Sequence, residues 1–474
     1  MKQMRWDEEA DIIIIGSGLS GMAAAAEAAG KAERIVILEK MNYYGGNSVL
    51  AGGGYACWDS SLKMRQKLDL GEDSWELHMK DTLKGGGDYG FPELVRVMAE
   101  GAPSGLDWIA ESGVEFKDVL VRLGCHSAAR SYQSKSSGKA MMDHIKARVL
   151  STGVELRLNH EVTGIVRDPE SGEVNGLEVN NEGKTIRIFA RKAVILASGG
   201  FGNDVKLRTE QNPVLNDVLP CTNHKGATGE VIRYAKAIGA DSVHMEFVQL
   251  YPCASPSTGS VDRWAFYAYS GAGFGMIYVD ENGKRFISEL AGRDEISKAQ
   301  LDSCKKPTWA IFNHEIMDSL LMGMDEVEDG IKFGRMVKAE SIKELEEKLG
   351  ITKGGLTRTV ERINDALKSS GPDPDFGGER VRGMLKLETG PFYAIAQWPS
   401  VHYTMGGLRI NENAMVIDVF GKPIARLYAA GEVCGGIHGA NRLAGNALAE
   451  CVVFGRIAGE NAASEPTRQA AQTT

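Results

Sequence analysis

The chain has 474 residues, of which 43% are hydrophobic and 25% are charged, and this length predicts two or three domains with a large buried core. Its formal net charge of −9 argues against a nucleic-acid partner, because phosphate binding relies on clustered lysine and arginine. The N-terminal stretch shows no signal-peptide pattern and no apolar run long enough to cross a membrane. We therefore expect a cytoplasmic protein without a membrane span.

The seven cysteines are scattered along the chain, without C-x-x-C, C-x-x-C-H or ferredoxin spacing. This pattern predicts no metal site and no haem or iron–sulfur relay within the chain. Any redox chemistry would then need an electron donor or acceptor outside it.

The first predicted element is a strand at residues 12–15, an apolar run suited to burial on both faces. Gly16, Gly18 and Gly21 follow as G-x-G-x-x-G, ahead of an alanine-rich helix. Such glycines allow a tight turn, a close approach of the backbone to a pyrophosphate, and close packing of helix on strand. The next apolar strand ends in Glu39, at the spacing where a carboxylate binds a ribose. This order predicts a Rossmann-type dinucleotide-binding unit.

The following stretch, MNYYGGNSVLAGGGYACW, is rich in glycine, which suits a backbone that lies against a flat or closely packed surface. It resembles the second FAD-contacting segment, G-G-N-[ST]-x-x-A-x-G-G, of the fumarate reductase/succinate dehydrogenase flavoprotein superfamily. In membrane-bound members, a histidine that is covalently joined to the flavin stands at the position of Asn47. Asn47 therefore implies FAD that is held without a covalent bond.

The resemblance covers nearly the whole chain, because AVILASGGFGND, VHYTMGG and LYAAGEVCGGIHGANRLAGNALAE occur in the family's order. The chain looks like the soluble, fumarate-reductase-like branch, of flavocytochrome c or urocanate reductase type, without the haem domain that some members carry. The resemblance implies FAD contacts from Gly16, Gly18, Gly21, Glu39, Lys40, Gly46, Asn47, Ser48, Gly52, Gly53, Val162, Ser198, Gly199, Gly431, Glu432, Asn446, Ala447 and Leu448.

The expected fold class is α/β. Residues 1–246 are predicted to form the first part of a Rossmann-type FAD-binding domain, with a parallel sheet, helices and a β-rich insertion. Residues 247–400 are predicted to form a smaller α+β capping domain for the substrate, in which Ser341 and Glu344 mark the start of a helix. The family architecture returns residues 401–474 to the FAD-binding domain.

Three substrate residues are implied by the resemblance. Arg293 matches the arginine that gives a proton to the substrate, and His402 and Arg442 match the pair that binds one substrate carboxylate. In this chemistry, hydride passes from flavin N5 to a double bond, and charge builds up on the conjugated carbonyl or carboxylate. A guanidinium suits a carboxylate because it donates two parallel hydrogen bonds.

The other end of the site departs from the family. Tyr251 replaces the histidine that holds the second carboxylate of fumarate, and Ala268 and Tyr269 replace a threonine–glutamate pair. Ala272 stands where a relay arginine is expected, so fumarate itself is not the expected substrate. The aromatic residues that suggest a wider pocket are Trp264, Phe266, Tyr267 and Tyr269, although such a cluster is also typical of a packed core.

These residues leave three hypotheses. The favoured one is an ene-reductase of an α,β-unsaturated monocarboxylate, of aryl-acrylate or cyclic-enone type, fed by an external electron donor. The second is a dehydrogenase of a cyclic ketone or keto acid, such as an oxocyclohexane-carboxylate or a ketosteroid, with Tyr251, Tyr269 or Tyr403 as base and an external acceptor. The third is a non-catalytic FAD-binding subunit. The segment GANRLAGNALAE belongs to the reductase pattern and favours the first.

Overall fold

Strands and helices alternate through most of the chain in the computed structural model, which describes residues 5–123, 125–369, 371–377 and 384–469. Its strands are β1 Glu8–Ile15, β2 Ile35–Leu38, β3 Gly54–Ala56, β4 Phe116–Val121, β5 Ser131–Ser134, β6 Glu155–Arg157, β7 His160–Arg167, β8 Val174–Asn181, β9 Lys184–Leu196, β10 Ser242–Val243, β11 Val248–Ala254, β12 Ile277–Val279, β13 Thr308–Asn313, β14 Met336–Ala339, β15 Phe392–Thr404, β16 Gly407–Arg409, β17 Met415–Ile417, β18 Pro423–Ala429 and β19 Cys434–Gly435. Its α-helices are α1 Leu19–Ala28, α2 Met64–Lys67, α3 Trp75–Gly85, α4 Pro92–Glu111, α5 Gly138–Leu150, α6 Val205–Gln211, α7 Glu230–Ala237, α8 Arg263–Gly271, α9 Arg293–Ser303, α10 His314–Ser319, α11 Met324–Lys332, α12 Ile342–Leu349, α13 Gly355–Lys368 and α14 Asn446–Ser464.

The chain divides into two compact units. The first unit comprises Met1–Asn216, Asn223–Gln249 and Tyr403–Thr474, and the second comprises Asp217–Thr222 and Leu250–His402. Each unit has a hydrophobic core of its own.

The main sheet of the first unit follows the order β17-β18-β9-β1-β2-β6. Strands β18, β9, β1, β2 and β6 run parallel to one another. Strand β8 pairs antiparallel with β9, and β7 pairs antiparallel with β8. The predicted parallel sheet with helices and a β-rich insertion is thereby confirmed.

Two glycines determine how closely α1 packs on this sheet. Gly16 has a φ of +102°, and a Cβ placed on it would lie 2.3 Å from the Ala197 carbonyl oxygen. A Cβ on Gly21 would lie 2.1 Å from the Gly16 carbonyl oxygen. The turn after β1 therefore tolerates no side chain at Gly16, and the first turn of α1 tolerates none at Gly21, as the sequence pattern predicts.

The second unit has a sheet of the order β11-β15-β13-β12, with β14 also paired to β15. The pairs of β12 with β13, β13 with β15 and β14 with β15 are antiparallel. Helices α8 to α13 belong to this unit, and buried side chains such as Ile311 and Phe312 on β13 contribute to its core. Among the described residues of the whole chain, no helix combines the length and the apolar character that a membrane span requires.

Candidate cofactor and substrate sites

The turn after β1 is closed by the carboxylate of Glu39. The Ser17 hydroxyl and backbone N–H donate to Glu39 Oε2 at 2.6 and 3.2 Å, and the Met41 N–H donates to Oε1 at 3.0 Å. The Gly45 N–H in turn donates to the Ser17 hydroxyl at 3.0 Å. The first glycine turn and the second glycine-rich stretch are thus joined through hydrogen bonds around one buried carboxylate.

Asn47 uses both ends of its amide inside the first unit. Its Nδ2 donates to Glu432 Oε2 at 3.1 Å, and its Oδ1 accepts from the His224 N–H at 2.8 Å. Glu432 also accepts from the N–H and hydroxyl of Thr404 at 3.0 and 3.2 Å. Burial raises the pKa of the Glu432 carboxyl above its ordinary value.

The other predicted cofactor residues belong to the same unit, and most lie at turns or at helix starts. Lys40 pairs with Glu230 at 3.0 Å, and the Ser48 hydroxyl accepts from the Leu19 N–H at 3.0 Å. Gly46 and Ser48 lie in a 3₁₀ helix, and Gly52 and Gly53 precede β3. Val162 lies on β7, and Ser198 and Gly199 follow β9. Gly431 and Glu432 follow β18, while Asn446, Ala447 and Leu448 form the first turn of α14. The turns after β1, β2, β9 and β18 share one edge of the parallel sheet, where ligands of such folds bind.

Three features of this edge fit a dinucleotide cofactor. Helix α1 begins after Gly18 and α14 begins after Gly445, and neither glycine offers a side chain to cap its helix. Backbone N–H groups at such helix starts favour negatively charged groups. The buried hydroxyl of Ser198 has no hydrogen-bond partner among the described residues. Such a group fits a ligand atom at this edge.

Arg442 is held in place within the first unit, and it is only 7% exposed. Its Nη2 donates to Gln249 Oε1 at 2.9 Å, and its Nη1 donates to the Leu443 carbonyl oxygen at 3.1 Å. The guanidinium carbon lies 4.8 Å from the centre of the Tyr403 ring. Gln249 Nε2 donates back to the Arg442 carbonyl oxygen at 2.8 Å. The guanidinium is therefore fixed by two neutral oxygen acceptors and an aromatic face.

Tyr403 does not have the properties of a proton acceptor. Its hydroxyl donates to Glu450 Oε2 at 2.7 Å, an oxygen that also lies 2.7 Å from His438 Nε2. Burial and the Glu450 charge raise the pKa of Tyr403 well above its ordinary value. The geometry thus argues against the hypothesis that Tyr403 is a base. Its ring instead packs against the guanidinium of Arg442.

In the second unit, Arg293 lies against two aromatic rings. Its guanidinium carbon is 5.0 Å from the centre of the Tyr251 ring and 4.7 Å from that of Tyr269. Arg293 is the first residue of α9. Burial lowers the pKa of Arg293, but the neighbouring phenols of Tyr269 and Tyr251 act in the opposite direction, and the net pKa is raised. Arg293 is therefore charged at any physiological pH.

Tyr251 connects Arg293 to His402. The ring of Tyr251 lies 5.2 Å from that of His402, while its hydroxyl donates to the Ala265 carbonyl oxygen at 3.3 Å. Burial raises the pKa of Tyr251 despite the nearby charge of Arg293. Nδ1 of His402 lies 2.8 Å from the Thr222 hydroxyl, a contact that sequence reasoning missed although Thr222 begins the motif TNHKGATG. The structure thus brings Arg293, Tyr251, Tyr269 and His402 together.

The wider aromatic pocket expected along α8 is not formed by all four residues proposed for it. The Trp264 indole donates to the Glu326 carbonyl oxygen at 2.9 Å, and the Tyr267 hydroxyl donates to Glu326 Oε2 at 2.8 Å. Phe266 is 54% exposed. Because successive residues of a helix point about 100° apart, Trp264 and Tyr267 leave the face on which Tyr269 meets Arg293. Phe266, three residues before Tyr269, shares that face but is exposed. The positions of the family's threonine and relay arginine carry the buried alanines Ala268 and Ala272.

Comparison with known proteins decides the family. A family model described as an FAD binding domain matches residues 11–448. The chain belongs to this family, within the fumarate reductase/succinate dehydrogenase flavoprotein superfamily.

Named relatives extend over almost the whole chain. The acrylate reductase flavoprotein subunit of Shewanella woodyi is 36% identical over 473 residues, which cover 96% of this chain and 91% of that protein. The urocanate reductase of Eggerthella lenta is 36% identical over 465 residues, which cover 96% of this chain and 75% of that protein. A solved structure of the open conformation of a flavocytochrome c3 fumarate reductase matches with a TM-score of 0.82 and 32% identity, covering 97% of this chain and 78% of that one.

Membership fixes the cofactor and the class of reaction. The protein is an FAD-dependent oxidoreductase that acts on a CH–CH or C=C bond. The predicted superfamily, the FAD cofactor and this reaction class are confirmed. The roles of the individual site residues stay predictions.

Proposed function

We propose that this flavoenzyme reduces the carbon–carbon double bond of an α,β-unsaturated monocarboxylate, of aryl-acrylate or cyclic-enone type, with electrons from an external donor. The acrylate reductase and urocanate reductase relatives support a substrate of this class. A cytoplasmic location stays a prediction.

The observation that carries the proposal is the fixed, buried guanidinium of Arg442. Bonds to Gln249 Oε1 and the Leu443 carbonyl, together with the Tyr403 ring, hold its planar fork in one orientation before any ligand arrives. Fixed donors of this kind stabilise the charge that develops on a carboxylate during the reaction and need no reorganisation. We assign Arg442 to the substrate carboxylate, and the resemblance to the family implies His402 as a second donor to that carboxylate.

Bound FAD supplies the electron pair of the reduction. Arg293 supplies the proton, because it is charged at physiological pH and lies against two tyrosine rings that restrict its guanidinium. Thr222 accepts from or donates to His402 Nδ1 and so fixes the orientation of the imidazole that helps to bind the carboxylate.

The aromatic surroundings of Arg293 favour one carboxylate over two. Tyr251 stands where fumarate enzymes of the family use a histidine, and it offers a ring face at this position. Its hydroxyl donates a hydrogen bond to the Ala265 carbonyl oxygen. Tyr269 offers a second ring face. An aryl or cyclic group suits such faces better than a second carboxylate does.

We also propose that FAD is bound without a covalent link. Asn47 occupies the position of the flavin-linked histidine, and Glu432 and His224 use both ends of its amide. An amide side chain has no nucleophilic nitrogen to attach to the flavin.

The alternative, a dehydrogenase of a cyclic ketone or keto acid, would need a tyrosine base. The hydroxyls of Tyr251 and Tyr403 are both engaged, and both pKa values are raised. Of the three candidate tyrosines, this leaves Tyr269 as the base. Because the observations disfavour two of the three candidates, they favour reduction.

The two directions are separated by a paired anaerobic experiment. Reduced enzyme is mixed with a panel of acrylates and enones, and oxidised enzyme with saturated keto acids, while flavin absorbance is followed. Reoxidation in the first panel supports the reductase, and bleaching in the second supports the dehydrogenase. Silence in both panels, with FAD bound stoichiometrically, would support a non-catalytic FAD-binding subunit.

A further inference from the structure

The segment 440–446, which carries Arg442 into α14, rests on α3 and on the loop around His126. The Ala440 N–H donates to the Gly86 carbonyl oxygen at 2.8 Å. His126 Nε2 lies 2.9 Å from the Ala444 carbonyl oxygen, two residues beyond Arg442. His126 is 1% exposed, so this bond forms in the interior of the first unit.

The neighbours of His126 fix which of its nitrogens carries the proton. A carbonyl oxygen only accepts, so Nε2 must be the N–H that donates to Ala444. Nδ1 is then the acceptor, and it lies 3.2 Å from Nη1 of Arg130, a group that only donates. Burial, with a contribution from Arg130, lowers the pKa of His126 to about 4, so the ring is neutral at physiological pH.

Arg130 itself is fully buried and held by carboxylates. It donates to Asp73 at 2.8 and 3.0 Å and to Asp81 at 2.8 Å. Asp81 also accepts from the hydroxyl and N–H of Ser127 at 2.7 and 2.8 Å. With three bonds to two aspartates, Arg130 has little freedom to leave His126, so the imidazole tautomer is set by a rigid partner.

A second histidine holds the start of α14. His78 Nε2 lies 2.9 Å from Asn446 Oδ1, and Asn446 Nδ2 donates to the Thr82 hydroxyl at 2.9 Å. The chain after Arg442 is therefore held twice, at the Ala444 carbonyl by His126 and at the Asn446 side chain by α3. The two imidazole rings lie 5.8 Å apart.

We propose that His126, with its tautomer fixed by Arg130, is a positioning residue that holds the Ala444 carbonyl and thereby keeps Arg442 aligned for a substrate carboxylate. This inference rests on the proposed function, in which Arg442 binds that carboxylate. The bond matters because a displacement of about 1 Å in a positioning group can change reaction rates by about a hundredfold. His126 touches neither substrate nor the reacting atoms in this account.

The test uses two amide replacements that each keep one half of the imidazole. H126Q retains a donor near the position of Nε2 and so keeps the bond to the Ala444 carbonyl. H126N retains an acceptor near the position of Nδ1, so Arg130 keeps its partner while the bond to Ala444 is lost. Dissociation constants of 3-phenylpropionate and of its neutral amide are measured from flavin absorbance of the oxidised, FAD-loaded enzyme. We expect H126N to weaken binding of the carboxylate by roughly tenfold and to leave the amide unchanged, with H126Q within about threefold of the parent.

Two controls separate positioning from lost stability and from failure of the proposed function. V149A opens a cavity at the end of α5, where Val149 is fully buried, and should lower the melting temperature without changing the carboxylate-to-amide ratio of affinities. R442A should reduce that ratio strongly. A normal ratio in H126N beside a reduced one in R442A overturns the positioning role alone, as does equal loss in H126Q, H126N and V149A. A normal ratio in R442A overturns the carboxylate role of Arg442, and with it this inference.

Discussion

At the scale of single residues, two substitutions test the charge and the planar shape of the Arg442 side chain separately. R442A should lower kcat/KM for an unsaturated carboxylate by roughly 10² to 10³, because a buried charge-assisted pair is lost. R442K should recover only part of this, since an ammonium keeps the charge but not the planar fork held by Gln249 and Leu443. Steady-state rates with a carboxylate and with a neutral enone check this prediction. Equal losses for both substrates would show that Arg442 is structural or faces a carbonyl.

Tyr251 is expected to act through its ring and not through its hydroxyl. Y251F keeps the aromatic face towards Arg293 and His402, and should retain kcat within about threefold, since the hydroxyl bonds only a backbone carbonyl. Y251L removes the face and should lose at least tenfold. If Y251F were as damaged as Y251L, the phenol itself would take part in the chemistry, as the dehydrogenase hypothesis requires.

Arg293 is expected to be the proton donor. R293A should keep FAD and bind the carboxylate, but lose turnover by about 10² to 10⁴, the range of general acid catalysis. Flavin content and ligand binding, measured on the same preparation, separate this loss from misfolding. Unchanged turnover would assign the proton to Tyr269.

At the scale of elements, α3 and the loop at His126 make the first unit sensitive to acid. Burial and Arg130 lower the pKa of His78 from 6.5 to about 3, and that of His126 from 6.5 to about 4. The unfolded chain therefore binds more protons than the folded one below pH 6.5, and stability falls as the pH drops from 6.5 towards 4. For His126 alone, the free energy of unfolding falls by about 3 kcal/mol once the pH has dropped to about 4.

The measurement is the melting temperature between pH 7 and 4, with H126N as the comparison. The parent should lose stability steeply across this range, and H126N should lose less because one titrating ring is gone. Parallel curves for the two proteins would contradict the lowered pKa of His126.

The sequence pattern predicts some elements well for local reasons. The apolar run at residues 12–15 becomes buried β1, and Ser341 caps α12, which begins at Ile342. On α8 the pattern misleads, because aromatic composition does not say which helix face each ring occupies, and Trp264 and Tyr267 turn to Glu326. The bond between His126 and Ala444 joins residues 318 apart in sequence, and no local signal predicts it.

At the scale of the whole molecule, the order of the glycine-rich motifs predicts the superfamily, the fold class and FAD through its resemblance to a known family. The sequence predicts that the family's proton relay is missing, but which residues surround Arg293 depends on packing within the second unit. The structure supplies that packing as the cluster of Arg293, Tyr251, Tyr269 and His402.

The mode of FAD attachment is a property of the whole holoenzyme. Acid precipitation should release all of the flavin into the supernatant, because Asn47 offers no covalent link. Added FAD should also raise the melting temperature with increasing concentration, as expected for a ligand in mass-action equilibrium with the folded protein. Flavin that stays with the precipitated protein would contradict the non-covalent assignment.

Reduction of an unsaturated monocarboxylate bound through Arg442 can be followed in a single stopped-flow experiment. Anaerobically reduced enzyme is mixed with an aryl-acrylate or with its neutral amide, and the return of oxidised-flavin absorbance is timed. Reoxidation by the acid should be at least tenfold faster than reoxidation by the amide. Reoxidation by neither compound, together with bleaching of the oxidised enzyme by a saturated keto acid, would contradict the proposed reduction.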